Sequence, residues 1–455
     1  MQYFIQTFGC QMNITDSERI SAVLENLGFV PAKRWQETDL FIMNSCSVRQ
    51  KPEDRVHGLI GDSLKIKKKN KKFMVGLTGC MVRKSSTQNS ELKDNLLKVH
   101  ENLDFVFRIE DLCKLDQVLR ECKAKLKIKP LEDEGTVENY FKIQPKYSNN
   151  FSAFVPIQTG CDKFCTYCIV PFARGREYSR DFVEVLAECG NLVEKGVKEI
   201  TLVGQTVNTY GISRADKMSK KFEKYGKYPF VKLLEEIDKL QLKGLKWLRF
   251  TSPYPKDFSD ELMEAMARLK TLCHHVHMPI QSGSDAVLQM MNRQYSVKDY
   301  LKLVNKFRKK IPDIAISTDI IVGFAGETEA MFKETCALYD KIQWEMCYHA
   351  KYSSRKGTYA GKILKDNIFA KAKSRRWHKL NEYIKKYSFK ALKGYANSIQ
   401  EVLVDEKKQD GLYYGRNFHN KLVCFKSRSN LIGKFVCVRI TQVKEWLMEG
   451  KLLNK

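Results

Sequence analysis

The sequence predicts an α/β protein with three parts: an N-terminal Rossmann-like α/β domain, a central incomplete (β/α)6 barrel and a small C-terminal antiparallel β-barrel. A length of 455 residues gives room for about three domains. Apolar runs alternate with amphipathic helical stretches through the first two parts, which is typical of parallel strands joined by helices. After about Ala396 the pattern changes to closely spaced short strands with Gly and Asn turns, which favours a small barrel.

Composition and charge narrow the class of protein. Hydrophobic residues make up 43% of the chain and charged residues 29%, which is typical of a globular protein. Lys and Arg total 79 against 53 Asp and Glu, and this surplus favours a polyanionic partner, nucleic acid first. No apolar run approaches the roughly 18 residues of a membrane span, and the N-terminus lacks the pattern of an export signal. We expect a cytoplasmic protein that does not associate with membranes.

In the N-terminal part, residues 1–122, three cysteines follow three separate apolar segments. They are Cys10 in TFGCQMN, Cys46 in NSCSVR and Cys80 in LTGC. Helical segments between them favour a parallel sheet, whose strand ends gather residues at one edge. Spacing alone, however, favours the simpler interpretation of three unrelated buried cysteines.

A polar linker is predicted at residues 123–146, followed by the central part at residues 147–379. Its six predicted strands are SAFVPIQTG, KEITLVGQ, LKWLRFTS, HHVHMPIQSG, IAISTDIIVGFAGET and EMCYHAKYS. Helical patterns such as DFVEVLAECGNLVEKG lie between them, so strand–helix units are expected. In such barrels the functional loops lie at the carboxyl ends of the strands.

Directly after the first of these strands, Cys161, Cys165 and Cys168 form a C-x3-C-x2-C cluster. Cytosolic thiols stay reduced, so clustered cysteines indicate metal ligands rather than disulfides. A closed zinc site usually takes four ligands, and no second cysteine pair stands nearby. A 4Fe-4S cluster held by three cysteines leaves one iron for a substrate or cofactor, which is the favoured interpretation. A structural metal and a chance grouping stay open as alternatives.

A second group of potential zinc ligands comprises Cys273, His274, His275 and His277. Successive residues of a strand point to opposite faces, so His274 should face away from the other two histidines. We therefore expect no zinc there and place His275 and His277 on the barrel wall.

The GCDKFCTYC loop resembles that of the radical S-adenosylmethionine enzymes. In that family the three cysteines hold a 4Fe-4S cluster that cleaves S-adenosylmethionine to a 5′-deoxyadenosyl radical, which implies this role for Cys161, Cys165 and Cys168. Residues at the strand ends would contact the cofactor, although a plain role in turns fits them equally well. These residues are Gly204, Gln205, Ser282, Gly283 and Gly323.

Nearly the whole chain resembles the radical methylthiotransferases, through TFGCQMN, NSCSVR, TGC and AFVPIQTGCDKFCTYCIVPFARGREYSR. The resemblance implies that Cys10, Cys46 and Cys80 hold a second 4Fe-4S cluster. It also implies two S-adenosylmethionine molecules, one to methylate the sulfur and one to supply the radical. GCQMN and NSCSVR are similar to the branch that methylthiolates carbon 2 of N6-(dimethylallyl)adenosine at position 37 of tRNA. The product would be 2-methylthio-N6-(dimethylallyl)adenosine.

Other functions and further partners follow from the same resemblance. A related enzyme would act on threonylcarbamoyladenosine in tRNA or on a ribosomal protein side chain. A non-catalytic iron–sulfur RNA-binding protein is the alternative from another class. The family implies an electron donor such as flavodoxin or ferredoxin and proteins that deliver sulfur or clusters. We assign no acid–base catalyst and expect a monomer. Some polar residues near the cysteine motifs would orient cofactor or substrate, or are simply solvated: Asn13, Asp16, Arg174 and Arg176.

The densest basic stretch, residues 361–395, carries 11 Lys or Arg against two acidic residues. Its apolar residues have helical spacing, which predicts one buried face and a cationic ridge on the other. With residues 380–455 it forms a basic helix and a module that resembles the TRAM domain, an OB-like fold of tRNA-modifying enzymes. A solvated helix face is the alternative to phosphate contact. The predicted RNA contacts are Arg375, Arg376, Lys379, Arg416, Lys421 and Lys434.

Overall fold

The computed structural model describes residues 1–48, 50–83, 96–123, 126, 128, 130–131 and 136–453. The chain divides into two compact units. The first comprises Met1–Ser148, Phe154–Phe164 and Cys168–Asp181. The second comprises Asn149–Ala153, Cys165–Tyr167 and Phe182–Lys455. Among the described residues, no helix combines the length and the apolar character that crossing a membrane requires.

A five-stranded parallel sheet forms the centre of the first unit, with strand order β2-β1-β3-β4-β5. The strands are β1 (Gln2–Thr7), β2 (Val30–Pro31), β3 (Leu40–Ser45), β4 (Met74–Gly79) and β5 (Phe105–Val106). The helices are α1 (Gln11–Asn26), α2 (Gln50–Lys69), α3 (Leu96–Val99) and α4 (Leu115–Cys122). In this doubly wound arrangement a ligand site is expected where the strand order reverses, between β1 and β3.

Helices cover both faces of this sheet. Leu40 and Ile42 pack in a core with residues of α1, whereas the alternating Phe41 and Met43 pack in a second core with residues of α2. Side chains of a strand alternate between its two faces, so a strand covered on both sides must be apolar throughout. This explains the uninterrupted run LFIM in β3.

The described part of the predicted linker is folded rather than extended. Helix α5 (Val137–Lys142) begins at Thr136, whose hydroxyl accepts a hydrogen bond from the Asn139 main chain. Tyr140 and Phe141 are buried in the core that α1 lines. The linker prediction also includes residues 124–125, 127, 129 and 132–135, which lie outside the described residues.

All six strands predicted for the central part are confirmed. The strand order is β10-β9-β6 in one three-stranded sheet and β11-β12-β13 in another. A parallel bridge between Leu248 and Leu272 connects the two sheets. These strands are β6 (Ser152–Pro156), β9 (Glu199–Val203), β10 (Trp247–Phe250), β11 (His275–His277), β12 (Ala315–Val322) and β13 (Met346–Lys351). A short antiparallel pair is formed by β7 (Gln158–Thr159) and β8 (Tyr178–Ser179).

Helices alternate with these strands, as the incomplete (β/α)6 prediction requires. They are α6 (Val170–Arg174), α7 (Phe182–Glu194), α8 (Arg214–Ser219), α9 (Pro229–Asp238), α10 (Asp260–Arg268), α11 (Asp285–Met290), α12 (Val297–Lys310), α13 (Glu329–Ile342), α14 (Tyr359–Ile363) and α15 (Ala370–Lys393). The predicted domain boundary at 379/380 falls inside α15. Leu380, Ile384 and Tyr387 bury one face of that helix, as its spacing predicts.

The C-terminal strands close into a barrel with the order β14-β15-β16-β18-β17. The strands are β14 (Ile399–Lys407), β15 (Leu412–Asn417), β16 (Leu422–Lys426), β17 (Phe435–Val443) and β18 (Met448–Leu452). The barrel is antiparallel as expected, except that β16 and β18 run parallel. This five-stranded closed form agrees with the OB-like prediction.

The C-terminal barrel docks at the amino ends of the central strands within the second unit. Arg249 forms an ion pair with Glu199, the first residue of β9, at 2.6 Å and donates to the Asn417 and Phe418 carbonyls. Lys421 pairs at 2.5 Å with Glu345, just before β13. The barrel therefore lies opposite the strand ends where functional loops are expected.

Replacing Arg249 with Met should weaken the second unit strongly. The substitution leaves Glu199, whose side chain is 18% exposed, without its cation and removes both hydrogen bonds to the C-terminal barrel. Breaking a fully buried pair costs about 3–5 kcal/mol, and this largely buried pair should cost somewhat less. Urea unfolding followed by tryptophan fluorescence measures the change in free energy. Lys246→Met is the matched control, because its ion pair with Glu401 is about half exposed and such a pair contributes about 0–1 kcal/mol. Equal losses in both variants would contradict this account.

Stability should also fall in mild acid because of His349 on β13. Burial lowers the pKa of His349 from 6.5 to about 4. Between these values the unfolded chain binds a proton that the folded chain excludes. The free energy of unfolding therefore falls as pH falls through this window, by up to about 1.4 kcal/mol per pH unit. Chemical denaturation at several pH values measures how the free energy of unfolding depends on pH. This dependence should be shallower between about pH 4 and pH 6.5 for His349→Gln than for the unchanged protein. Equal pH dependence in the two proteins would refute the role of His349.

Candidate metal centres

Cys10, Cys46 and Cys80 lie at one edge of the first sheet. They follow β1, β3 and β4, which are neighbours in the order β1-β3-β4. Thr7, Asn44 and Thr78 pair in one row across these strands, so the strands end at the same level. Cys46 and Cys80 are buried and Cys10 is exposed. The structure thus brings together the three cysteines that spacing alone left unrelated.

A buried polar network ties the three cysteine loops together. Asn13, in the first turn of α1, donates to the Asn44 side chain and to the Ser45 carbonyl, each at 3.0 Å. Its Oδ1 accepts from the Cys10 main chain at 3.2 Å and lies 3.5 Å from Cys10 Sγ. The Ser45 hydroxyl donates to the Thr78 carbonyl at 2.6 Å. Paired polar groups in a dry interior fix one geometry, so the loops are held in place before any metal binds.

Glycine is required where two of these loops come close. Gly79 has φ +86°, and a Cβ there would overlap the Ser45 carbonyl oxygen. Gly9 has φ +132°, and its Cβ would lie 2.7 Å from Cys46 Cβ. A larger residue at either position would push the cysteine loops apart.

A buried ion pair lies beside the same cysteines. Arg174 Nη2 lies 2.5 Å from Asp16 Oδ2, and the Tyr140 hydroxyl donates to Asp16 Oδ1 at 2.6 Å. Burial lowers the pKa of Arg174, but attraction to Asp16, Cys80 and Cys10 outweighs it and raises the pKa well above its usual value. The guanidinium is therefore a fixed positive charge near thiols that bind metals as thiolates.

The second cysteine loop connects β7 to α6. Its three cysteines are partly exposed, and Cys161 and Cys168 belong to the first unit whereas Cys165 belongs to the second. Gly160 has φ +74°, and a Cβ there would overlap the Arg176 carbonyl. Arg176 itself pairs with Asp162 at 2.8 Å. The loop therefore takes a defined path past the first cysteine.

Cys165 contacts a cation that the sequence interpretation missed. Arg293, just after α11, donates a hydrogen bond from Nη1 to Cys165 Sγ at 3.3 Å. The two residues are 128 positions apart, so no local pattern connects them.

The predicted cofactor residues lie at strand ends but differ in whether their polar groups already take part in hydrogen bonds. Gly204 and Gln205 follow β9, and Gln205 Oε1 is buried with no hydrogen-bond partner among the described residues. The amides of Gly283 and Gly323 already donate to Thr335 and Glu327. A buried unpaired carbonyl is costly unless a bound group satisfies it, so Gln205 is the best supported of the set. Ser282 is fully buried, and its hydroxyl accepts from the Ser284 amide.

Two further residues near these strand ends have strained backbones. Ser252 follows β10 with φ 57°, and Gln281 lies beside β12 with φ 77°. Left-handed backbone is unfavourable for residues with a Cβ and is concentrated at functional sites. Neither residue type signals this conformation in a sequence, which explains why neither was predicted.

The histidine group divides as the strand geometry predicts. His275 and His277 both contact the Ser317 hydroxyl, at 3.1 and 2.9 Å. His274 faces away and lies 2.8 Å from the Asp313 carboxylate. The same carboxylate lies 3.0 Å from His419. Metal-bound histidines usually donate from their other ring nitrogen, but His419 Nδ1 is buried and has no hydrogen-bond partner in the part of the chain that the structure describes. We interpret this trio as hydrogen bonds that help hold the C-terminal barrel.

The predicted RNA contacts fall into two groups. Arg376 is buried in an ion pair with Glu327 at 2.7 Å, and Lys421 is buried in its pair with Glu345. Each of these two cations already meets an acidic partner, which does not favour phosphate contact, and RNA contact at these positions stays a prediction. Helical or strand position alone does not reveal a buried acidic partner. The remaining predicted residues are exposed: Arg375, Lys379, Arg416 and Lys434.

Three family models match the chain. Residues 155–339 match the radical SAM superfamily, and residues 393–453 match the TRAM domain. Residues 2–107, which contain Cys10, Cys46 and Cys80, match an uncharacterized protein family, UPF0004.

Curated relatives align with the chain over its whole length. A tRNA-2-methylthio-N(6)-dimethylallyladenosine synthase of Thermotoga petrophila is 38% identical over 454 residues, covering 100% of this chain and 97% of that protein. A protein of the same name from Caldicellulosiruptor saccharolyticus is 39% identical, covering 99% of this chain and 92% of that one. The one from Geobacillus kaustophilus is 37% identical and is covered to 82%.

Solved structures share the fold at low sequence identity. The radical S-adenosylmethionine methyltransferase TsrM of Kitasatospora setae, with cobalamin and a [4Fe-4S] cluster bound, aligns with a TM-score of 0.53 at 14% identity. The alignment covers 79% of this chain and 77% of TsrM.

Gly79→Ala should impair metal loading at the first cysteine site. The new methyl group would displace the Ser45 loop, and with it the geometry around Cys46 and Cys80. We expect reconstituted protein to lose about four irons, the content of one 4Fe-4S cluster. Gly28→Ala is the matched control, because Gly28 has a similar φ of +92° but no atom within 4 Å of the added Cβ. Full iron content in Gly79→Ala, or equal losses in both, would contradict the geometry described.

Proposed function

Because this chain belongs to the family of the tRNA-2-methylthio-N(6)-dimethylallyladenosine synthases, we propose that it methylthiolates carbon 2 of N6-(dimethylallyl)adenosine at position 37 of tRNA. One observation carries this proposal. Cys10, Cys46 and Cys80 lie at level ends of neighbouring strands, in addition to the three cysteines of the C-x3-C-x2-C loop. An ordinary radical enzyme of this superfamily needs only the loop.

The donor sets fit the cofactors that the family implies. Each consists of three soft thiolates with no fourth cysteine in its motif, which suits a 4Fe-4S cluster that keeps one iron for another ligand. When bound, such a cluster with S-adenosylmethionine supplies the one-electron chemistry that an unactivated C–H bond requires. Cys161, Cys165 and Cys168 would hold one cluster, and the three cysteines of the first sheet would hold the other.

The chain's own polar residues prepare these sites. Arg174 places a positive charge beside Cys10 and Cys80, which would offset part of the negative charge of a cluster bound there. The Asn13 side chain fixes the Cys10 loop, because it accepts a hydrogen bond from the Cys10 main chain and donates one to the Asn44 side chain. Gln205 Oε1 offers an unpaired acceptor at the end of β9, where it would orient S-adenosylmethionine through a donor group.

An extended RNA suits the arrangement of the second unit. The C-terminal barrel lies at the amino ends of the central strands, whereas Gln205 lies at a carboxyl end. The eight residues of β12 span roughly 26 Å, so a ligand that contacts both ends must be long. The exposed Arg375, Lys379 and Arg416 would bind phosphates of a tRNA stem and position it without reading its sequence.

Further partners follow from the same proposal. The chemistry requires an electron donor such as flavodoxin or ferredoxin, and a protein that supplies sulfur or clusters. A tRNA substrate supports the expected location of the enzyme in the cytoplasm.

Nucleoside mass spectrometry on tRNA tests the proposal. Reconstituted protein, S-adenosylmethionine, sulfide, a chemical reductant and tRNA bearing N6-(dimethylallyl)adenosine should give the 2-methylthio nucleoside. A variant with Cys10, Cys46 and Cys80 all changed to Ala should form none but still cleave S-adenosylmethionine. A variant with Cys161, Cys165 and Cys168 changed to Ala should do neither.

Cys273→Ala serves as the control, because this cysteine is fully buried on the central sheet, outside both sets. Burial raises the pKa of Cys273 to about 12, which is typical of an inert core thiol. The variant should retain product formation. Product from the variant lacking the first-sheet cysteines would overturn the proposal. A methylthio group found instead on threonylcarbamoyladenosine or on a ribosomal protein would redirect it to another branch of the family.

A further inference from the structure

The guanidinium of Arg293 is fixed on every side. Nη1 donates to Cys165 Sγ at 3.3 Å, Nη2 donates to the Pro279 carbonyl at 2.7 Å, and Nε donates to the Tyr295 hydroxyl at 2.7 Å. All these residues belong to the second unit. Each nitrogen has its own acceptor, so the positive charge has one orientation.

Aromatic rings complete this setting. The Arg293 guanidinium lies 4.7 Å from the Tyr254 ring centre and 5.1 Å from that of Tyr295. The Tyr295 hydroxyl in turn donates to the carbonyls of Pro279 and Ile280, each at 3.1 Å. Tyr254 and Tyr295 are themselves buried. Between such faces a guanidinium keeps its charge and loses most of its contact with water.

A partly buried cation beside a cluster ligand has a defined electrostatic consequence. Net charge and hydrogen bonds to sulfur are among the factors that set the reduction potential of an iron–sulfur cluster. Reduction adds one negative charge, and a nearby cation that water screens only in part stabilises the reduced state more than the oxidised state. The structure places Arg293 on one ligand of the loop cluster.

We propose that Arg293 is a positioning residue that raises the reduction potential of the 4Fe-4S cluster held by Cys161, Cys165 and Cys168. The inference rests on the proposed function, which assigns the cluster to this loop. The step concerned is a one-electron reduction by an external low-potential donor of the flavodoxin or ferredoxin class. The donor is oxidised by one electron, the cluster is reduced by one, and no bond or proton changes place.

The potential should be measured with only one cluster present. The parent is therefore the full chain with Cys10, Cys46 and Cys80 changed to Ala, reconstituted anaerobically to about four irons. A redox titration monitored by electron paramagnetic resonance gives the midpoint potential. In Arg293→Gln we expect the equilibrium constant for reduction to fall at least tenfold, which is a shift of 59 mV to lower potential for one electron.

Arg308→Gln in the same parent is the matched control. Arg308 is an exposed arginine of α12 whose guanidinium donates to the Ile342 carbonyl at 2.6 Å, as Arg293 does to the Pro279 carbonyl. Its substitution should leave the midpoint potential of the cluster unchanged. An unchanged potential in a fully loaded Arg293→Gln protein would overturn the role of Arg293 and leave the proposed function intact. A parent that holds no cluster would overturn both.

A second measurement needs no substitution at Arg293. The reduced parent is prepared with arginine carrying the heavy nitrogen isotope and examined by pulsed electron nuclear double resonance. The contact between Arg293 Nη1 and Cys165 Sγ predicts that the heavy nitrogen isotope couples to the cluster spin, a signal that unlabelled protein lacks. Absence of that coupling would overturn the proposal even if Arg293→Gln failed to retain iron.

Discussion

The level ending of three neighbouring parallel strands is the constraint on which the candidate chemistry depends. β1, β3 and β4 pair in register through Thr7, Asn44 and Thr78, so the residues that follow them emerge at one edge. A one-residue shift in register would move a cysteine to another height and face. The hydrogen bonds of Asn13, Asn44 and Ser45 hold this register where the strands end, because each polar group is paired in a buried setting.

The two cysteine sets share an electrostatic pattern. Arg174 lies near Cys10 and Cys80, and Arg293 contacts Cys165, so each set has one guanidinium beside it, buried at Arg174 and partly buried at Arg293. Arginine suits this position because it stays charged when buried and binds several acceptors at once. The positive charge of the chain therefore has two separate uses: most cations are exposed and suit a polyanionic partner, whereas these two lie beside thiols.

Sequence patterns predicted the strands and the cysteines but not the contacts between distant residues. Apolar runs that follow a period of two or are buried throughout identify strands directly, and all six central strands were confirmed. Resemblance to a family, rather than spacing, assigned Cys10, Cys46 and Cys80 to one set. The contacts of Arg293 with Cys165 and of Arg376 with Glu327 depend on tertiary packing, which no local pattern records. For the same reason no local pattern reveals that Arg376 and Lys421, both predicted RNA contacts, are buried in ion pairs.

Mössbauer spectroscopy with iron counting on the Cys161→Ala/Cys165→Ala/Cys168→Ala variant tests the central claim most directly. The claim is that the carboxyl edge of β1, β3 and β4 is a complete cluster site in its own right. The account predicts that about four irons remain, with the spectrum of a 4Fe-4S cluster. A variant that folds but retains no iron would contradict it, since the first-sheet cysteines would then be ordinary thiols.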